Sequence, residues 1–368
     1  MLLKLLLLLL FVGICIIVYA NRSIWFSKLE GIGSRYQNVT QNEDAEDGEF
    51  SLTISGGVDY YADFVNNSLF ILCDKYLYVY GTDGKLKDSR QHAYSNAIMK
   101  SSGTRCLLYS SGGTSFRVDS VNKMLYEKTM EQTIWFAVLS DNGYAAVVTE
   151  SQTYACRLNI FDTSGTLIYS RDCVERLADV SFYGDGCITA TVGAENGELI
   201  TVLQYIRFDE SDPIWTTQSL PTLCLEVYAM ADGSAFVIGD TKAAYYSSTG
   251  ALLSTYDFTA NIADYDVSDE RGAVLLTNED RRQSILLLFT DKSSSPVSVS
   301  FDSICRNVIL DGETAYVLDS DGITGYAFSG QQMSEVSVTD TCDKILKNGR
   351  YFYLLGYDTI NRINVSGS

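Results

Sequence analysis

Residues Asn142 to Ser170 read NGYAAVVTESQTYACRLNIFDTSGTLIYS, and their pattern decides the fold. Asn142-Gly143 marks a tight turn, because a type I′ turn needs positive φ at both central residues and Asn-Gly tolerates that well. The turn leads into the apolar run Tyr144–Thr149, then a polar break, then a second hairpin that turns at Ser164-Gly165. Apolar runs this short, bounded by turn residues, read as strands. The same unit recurs in both directions. Toward the N-terminus, Asn66-Asn67 precedes SLFILC and Ser102-Gly103 precedes TRCLLY. Toward the C-terminus, Asp185-Gly186 precedes CITATV, Asp232-Gly233 precedes SAFVIG and Arg271-Gly272 precedes AVLLT. Asp311-Gly312 then precedes ETAYVL, and Asn348-Gly349 precedes RYFYLL. Second hairpins recur as well, in Tyr76–Ser89 with its turn at Asp83-Gly84 and in Ala243–Tyr256 with its turn at Thr249-Gly250.

Short strands in fours, repeating at intervals of about 40 residues, predict an all-β β-propeller. Eight turn pairs predict eight blades of four antiparallel strands; seven is the alternative if one hairpin packs outside the ring. No dozen residues after the N-terminal apolar run keep a helical period, which excludes a helical solenoid. The second strands are continuously apolar, as expected of strands covered on both faces. The last unit has only three strands before Ser368, while Phe50–Ser55 (FSLTIS) alternates apolar and polar ahead of the first blade. That segment is expected to supply the outer strand of the last blade and close the ring from both ends of the chain.

The spacing and paired hairpins of residues 50–368 resemble the propeller repeats of the WD-repeat-like and quinoprotein-like superfamilies. The Gly-His and Trp-Asp dipeptides of true WD repeats are absent. Together with its N-terminal segment, the arrangement also resembles uncharacterised membrane-anchored propellers of bacteria, a resemblance that implies no known activity.

That segment, Leu5–Ala20, is LLLLLLFVGICIIVYA. Counted from Leu2, with Lys4 snorkelling, it spans about 28 Å as a helix, close to the hydrocarbon thickness of a bilayer. Residues 1–20 are therefore expected to be a transmembrane signal anchor; a signal peptide cleaved after Val18-Tyr19-Ala20 is the alternative. Arg22, Lys28 and Arg35 follow the span and argue against export, but long domains translocate largely regardless of flanking charge. The expected product is a single-pass membrane protein with its propeller outside the cytoplasm. Residues 21–49 carry the acidic run Gln41–Glu49 and read as a polar tether, too charged to bury a core.

Of 368 residues, 46% are hydrophobic and 20% charged, enough apolar surface for a large core. There are 27 Lys plus Arg against 46 Asp plus Glu, a formal charge of −19. Nucleic-acid binding is not expected, because it needs clustered positive charge. The single histidine, His92, removes most zinc sites and most His-based acid–base chemistry. It reads as a surface or inter-blade residue. Phosphate-binding, nucleophile-elbow, metalloprotease and dinucleotide motifs are absent. Catalytic residues, cofactor and metal are accordingly expected to be none; Glu279-Asp280 and the pair Asp319 and Asp321 read as solvated turns rather than calcium ligands. Cys15 lies in the span; the other eight cysteines have no CxxC spacing and are expected to be mostly free, buried thiols. Bridging among them is the alternative.

In a propeller, the turns within the two hairpins of a blade share one face, and the connections between hairpins and between blades share the other. The second set carries longer, unlike, charged loops, and loops on a rigid scaffold concentrate function. Glu195, Asn196, Asp240, Lys242, Glu279, Arg281, Arg282 and Asp321 are the expected partner-binding residues. Arg281 and Arg282 stand out in an acidic chain, since the arginine fork recognises carboxylates bidentately. The favoured function is a non-enzymatic binding or scaffold module for a protein, peptide or glycan. The alternative is a lyase or glycosidase using channel carboxylates, which several buried acids clustered at the channel mouth would favour.

Overall fold

A computed structural model describes residues 39–41, 50–55, 59–268, 271–290, 292, 295–339 and 341–364. The expected membrane span lies outside the described residues, as does the tether apart from 39–41. Among the described residues no helix is long and apolar enough to cross a membrane.

The chain forms eight antiparallel sheets, seven of four strands and one of five. Blade 1 covers residues 61–91, blade 2 97–129, blade 3 134–173 and blade 4 176–216. Blade 5 covers 224–257, blade 6 261–301 and blade 7 307–337. Burial within a blade follows distance from the surface. Second strands such as Ser68–Leu72, Cys106–Ser110, Ala145–Thr149 and Ala235–Gly239 are buried at every position. Outer strands such as Leu86–Gln91 and Leu252–Asp257 alternate between exposed and half-buried.

The strand period of two explains the continuous apolar runs. In Cys106–Ser110, Leu107 and Tyr109 pack with Ile134, Ala137 and Val147 of blade 3. Cys106 and Leu108 point the other way, against Phe70 and Val79 of blade 1. Each interface between neighbouring blades holds one such cluster, so the core is a ring of eight cores.

Blade 8 is built from both ends of the chain. Its strands Lys344–Asn348, Tyr351–Leu355 and Thr359–Asn364 are followed in the sheet by Ser51–Ile54, with Ser51 opposite Asn361 and Thr53 opposite Thr359. Phe50, Leu52 and Ile54 are buried with Tyr353 and Ile360 of blade 8 and Leu69, Ile71 and Tyr80 of blade 1. Val39–Gln41 then pairs outside Ser51–Ile54 as a fifth strand, within the segment read as tether.

The innermost strand of each blade rims the central channel. In blades 3 to 6 this strand carries a bulge, which places Phe136, Asp179, Glu226 and Asp264 at equivalent positions just after it. A bulge re-aims side chains at a sheet edge. Three of these four residues are acids.

Candidate functional site

The inner edge of each innermost strand presents backbone N–H groups to the channel with no strand beyond to accept them. Side chains of the preceding blade fill that role. Asp179 Oδ2 accepts the Val227 N–H at 2.9 Å, and Ser181 Oγ accepts that of Ala229 at 2.9 Å, joining blade 4 to blade 5. Asp264 Oδ2 accepts from Val308 N at 2.9 Å and Asp266 Oδ2 from Leu310 N at 2.7 Å, joining blade 6 to blade 7. Asn307 Oδ1 accepts from Ile345 N at 2.8 Å, joining blade 7 to blade 8. Ser101 of blade 2 donates to Asp63 of blade 1. These polar groups hold the ring together around its axis.

Glu226 departs from the pattern. It occupies the position of Asp179 and Asp264, yet among the described residues no hydrogen bond or ion pair forms at its carboxylate. It faces a cavity of about 1130 Å³ that blades 2 to 6 line together. Asp179, Tyr228 and Tyr265 line this cavity with it, and Lys100 reaches in from blade 2. Ser140, Asp141 and Asn142 of blade 3 and Gly184 and Asp185 of blade 4 also line it. Those are turns between first and second strands, so the cavity opens on the hairpin-turn face.

Burial, then the nearby charge of Asp179, pushes the Glu226 carboxyl up to about 7, with Lys100 opposing. Burial likewise raises Asp179 to about 6 against the Val227 and Val180 N–H groups, and raises Asp266 to about 6. Tyr265 is raised by burial and then by Glu226 and Asp179. The cavity thus resists further negative charge and favours a proton or a cation.

A carboxyl whose folded pKa lies above its unfolded value stabilises fully below the unfolded pKa and loses that contribution as pH rises through the folded one. The wild-type melting temperature is therefore expected to fall between about pH 5 and about pH 8. Glu226→Gln should flatten that slope and stabilise the protein at the alkaline end by about 1–2 kcal/mol, allowing for screening by channel water. Parallel slopes for variant and wild type in thermal melts across this range would count against a strained Glu226.

The eight residues expected from sequence lie on the opposite face. Glu195 and Asn196 sit at the hairpin tip between the second and third strands of blade 4, Gly186–Glu195 and Glu198–Arg207. This hairpin has strands of 10 residues and carries Asn196 and Gly197 at φ 54° and 88°, as in a type I′ turn. Asp240 and Lys242 hold the equivalent place in blade 5, Glu279, Arg281 and Arg282 in blade 6, and Asp321 in blade 7. The shared face is as expected, but no described hydrogen bond or ion pair links those on different blades, and none lines the cavity. Their contacts are local: Asp240 accepts from Thr222 Oγ1 at 2.8 Å, Lys242 pairs with Asp257 at 2.9 Å, and Glu195 accepts from Ser219 at 3.1 Å. Connections between second and third strands sit partway out along the blade, so ring closure spreads them around the face.

His92 is buried just after the outer strand of blade 1, with Nε2 2.8 Å from the Cys73 carbonyl oxygen. Burial lowers its pKa, and it lies away from the cavity. Among the described residues no group of His, Cys, Asp or Glu could hold a metal ion.

The model of a family described only as being of unknown function, DUF5711, matches residues 35–365. No curated protein matches the chain. Among solved structures, the computationally designed Ika8 protein is similar, with a TM-score of 0.64 at 11% identity over 85% of this chain and 98% of that one. BamB from Moraxella catarrhalis is similar with a TM-score of 0.56 at 12% identity, covering 90% and 98%. Hsv2 from Kluyveromyces lactis follows with a TM-score of 0.51 at 10% identity, covering 76% and 99%. At such identities the likeness is one of fold.

Proposed function

We propose that this chain, which belongs to the DUF5711 family of unknown function, is a non-enzymatic binding module held outside the cytoplasm by its N-terminal span. Its partner is a protein or peptide that inserts a basic side chain into the channel from the hairpin-turn face. The observation that carries this reading is Glu226: a half-buried carboxylate with no bond of its own, raised to about 7, in a cavity large enough for a side chain. A cation there would relieve the repulsion with Asp179, in a cavity that Tyr228 and Tyr265 also line. Asp179 beside it is already committed to the Val227 N–H, so the ring preorganises that wall of the site.

The test is capture of partners from the native envelope by wild type, Glu226→Gln and the double variant Arg281→Ala, Arg282→Ala. Glu226→Gln is expected to lose the partner, with affinity weakened at least about tenfold, or 1.4 kcal/mol. The double arginine variant is expected to keep it. The reverse pattern would return binding to the connection face.

A second reading rests on the same pair of acids. Asp179 at about 6 and Glu226 at about 7 line one cavity, as a general acid and base could. Binding is the better reading because Asp179, the acid beside Glu226, is held by the Val227 and Val180 N–H groups and so does not serve as the second carboxylate that glycoside hydrolysis needs. Turnover of a polysaccharide by wild type, abolished in Glu226→Gln, would establish the enzyme instead.

A further inference from the structure

The eight described cysteines are all buried and unbridged. Six are scattered around the ring, whereas blade 3 holds two, and these are directly opposite one another. Cys156 opens the third strand, Cys156–Phe161, and Cys173 closes the outer strand, Leu167–Cys173; the two are register partners. Among the described residues no other two cysteines are paired across strands. Facing residues of an antiparallel pair have Cα atoms about 4.5–5.5 Å apart, inside the roughly 4.4–6.8 Å span that a disulfide accepts. Both side chains point into the same cluster between blades 3 and 4, with the Cys156 thiol donating to the Glu175 carbonyl at 3.6 Å and the Cys173 thiol to that of Arg171 at 3.8 Å.

We propose that Cys156 and Cys173 form a redox-active dithiol that thiol–disulfide exchange converts into a cross-strand bridge, stapling the outer hairpin of blade 3. Cys156 is the thiol that ionises first: the hydrogen bond from Cys173 lowers its pKa, helped by the Leu177 N–H and the charge of Arg176. The same coupling, with burial, raises that of Cys173. The Cys156 thiolate attacks one sulfur of a small-molecule disulfide, forming a mixed disulfide and expelling one thiolate. Cys173 then gives up its proton and attacks the Cys156 sulfur, and the second reagent thiolate leaves. Two cysteine sulfurs are oxidised, the two reagent sulfurs are reduced, and the two protons lost by the cysteines end on the released thiols.

Access is local. Cys173 is 8% exposed, on an outermost strand, while Tyr154 at 49% and Val174 at 72% lie on either side of the pair at the surface. Edge strands open at lower cost than the inner strands they cover.

The test uses the whole chain equilibrated with mixtures of reduced and oxidised glutathione, then alkylated and mapped without reduction. The expected result is one intramolecular bridge, Cys156–Cys173, with the other described thiols alkylated only after denaturation. The bridge is expected to raise the melting temperature by about 3–5 °C, and a reductant should reverse the change. Cys173→Ala should trap one glutathione on Cys156. Both thiols remaining free in excess oxidised glutathione, or bridges forming with other cysteines instead, would overturn the proposal. A wild-type chain that stops at the mixed disulfide, as Cys173→Ala does, would overturn it as well.

Discussion

A chain that begins at residue 56 is expected to lose the closed ring and to come off a sizing column as aggregate, not monomer. The missing strand carries Phe50, Leu52 and Ile54, exposed at 4%, 0% and 1%, all in the cluster between blade 8 and blade 1. Burying each such side chain is worth about 1.5–3 kcal/mol, so the loss approaches the whole stability of an ordinary domain. Removal also bares the edge of Thr359–Asn364, whose N–H and C=O groups would be open to another chain. Direct contacts between the neighbouring blades remain, such as the Tyr60 hydroxyl donating to the Gly356 carbonyl at 2.6 Å and Phe64 against Tyr353 at 4.8 Å. The truncated chain should therefore be misassembled but not unfolded throughout. The milder variant Leu52→Ala should lower stability by about 2–5 kcal/mol with the edge still covered. A truncated chain that stays monomeric and melts within a degree or so of wild type would show that the ring closes without this strand.

The repeat was legible because its signals are local: glycine or asparagine in a turn, then an apolar run. The position of the turn was less so. Arg271 and Gly272 look like a turn pair but are strand residues, opposite Ser268 and Val267. Gly272 is small for a packing reason, since a Cβ there would lie 2.5 Å from a ring carbon of Phe236. Gly186 is similar: its Cβ would meet the Ile206 carbonyl oxygen at 2.1 Å, and the turn comes before it, at Gly184-Asp185. A glycine in a string of letters does not say whether φ or space demanded it. Val39–Gln41 was missed because three residues beside an acidic run carry no period. The channel acids were missed for a different reason. A carboxylate in an inner strand looks like ordinary alternation until the ring shows that the strand edge faces a channel. The signal was present: Asp179 and Glu226 each stand seven residues ahead of a repeat glycine, Gly186 and Gly233. The opposite face stands out in the sequence because its loops are charged and unlike, yet none of those eight residues lines the cavity, and Glu195, Asp240 and Lys242 are engaged by near neighbours.

Asp119→Ala is expected to destabilise the protein by about 3–5 kcal/mol, more than any other single substitution of a polar residue proposed for this chain. Asp119 ends the third strand of blade 2 and is fully buried. Its Oδ1 lies 3.0 Å from Arg90 Nη1 and its Oδ2 lies 2.9 Å from Arg117 Nε. Arg90 belongs to the outer strand of blade 1 and also donates to the carbonyls of Ser120 at 2.7 Å and Val121 at 2.6 Å. Arg117, 4% exposed, returns the contact by donating to the Gln91 carbonyl at 2.9 Å. One carboxylate thus allows two arginines to rivet blade 1 to blade 2. Without it, Arg90 keeps Asp88 at 2.6 Å and its two carbonyls, but Arg117 stays desolvated with the Gln91 carbonyl as its remaining partner, and that penalty outweighs the modest net worth of the intact cluster. The mechanism makes a second, opposite demand. Replacing the cluster as a unit, by Arg90→Met, Arg117→Met and Asp119→Leu together, should recover most of the loss, because no buried charge then remains. Urea unfolding of the two variants separates the ideas. If the triple variant is no more stable than Asp119→Ala, the arginines hold the blades through their carbonyl contacts, and the carboxylate is secondary.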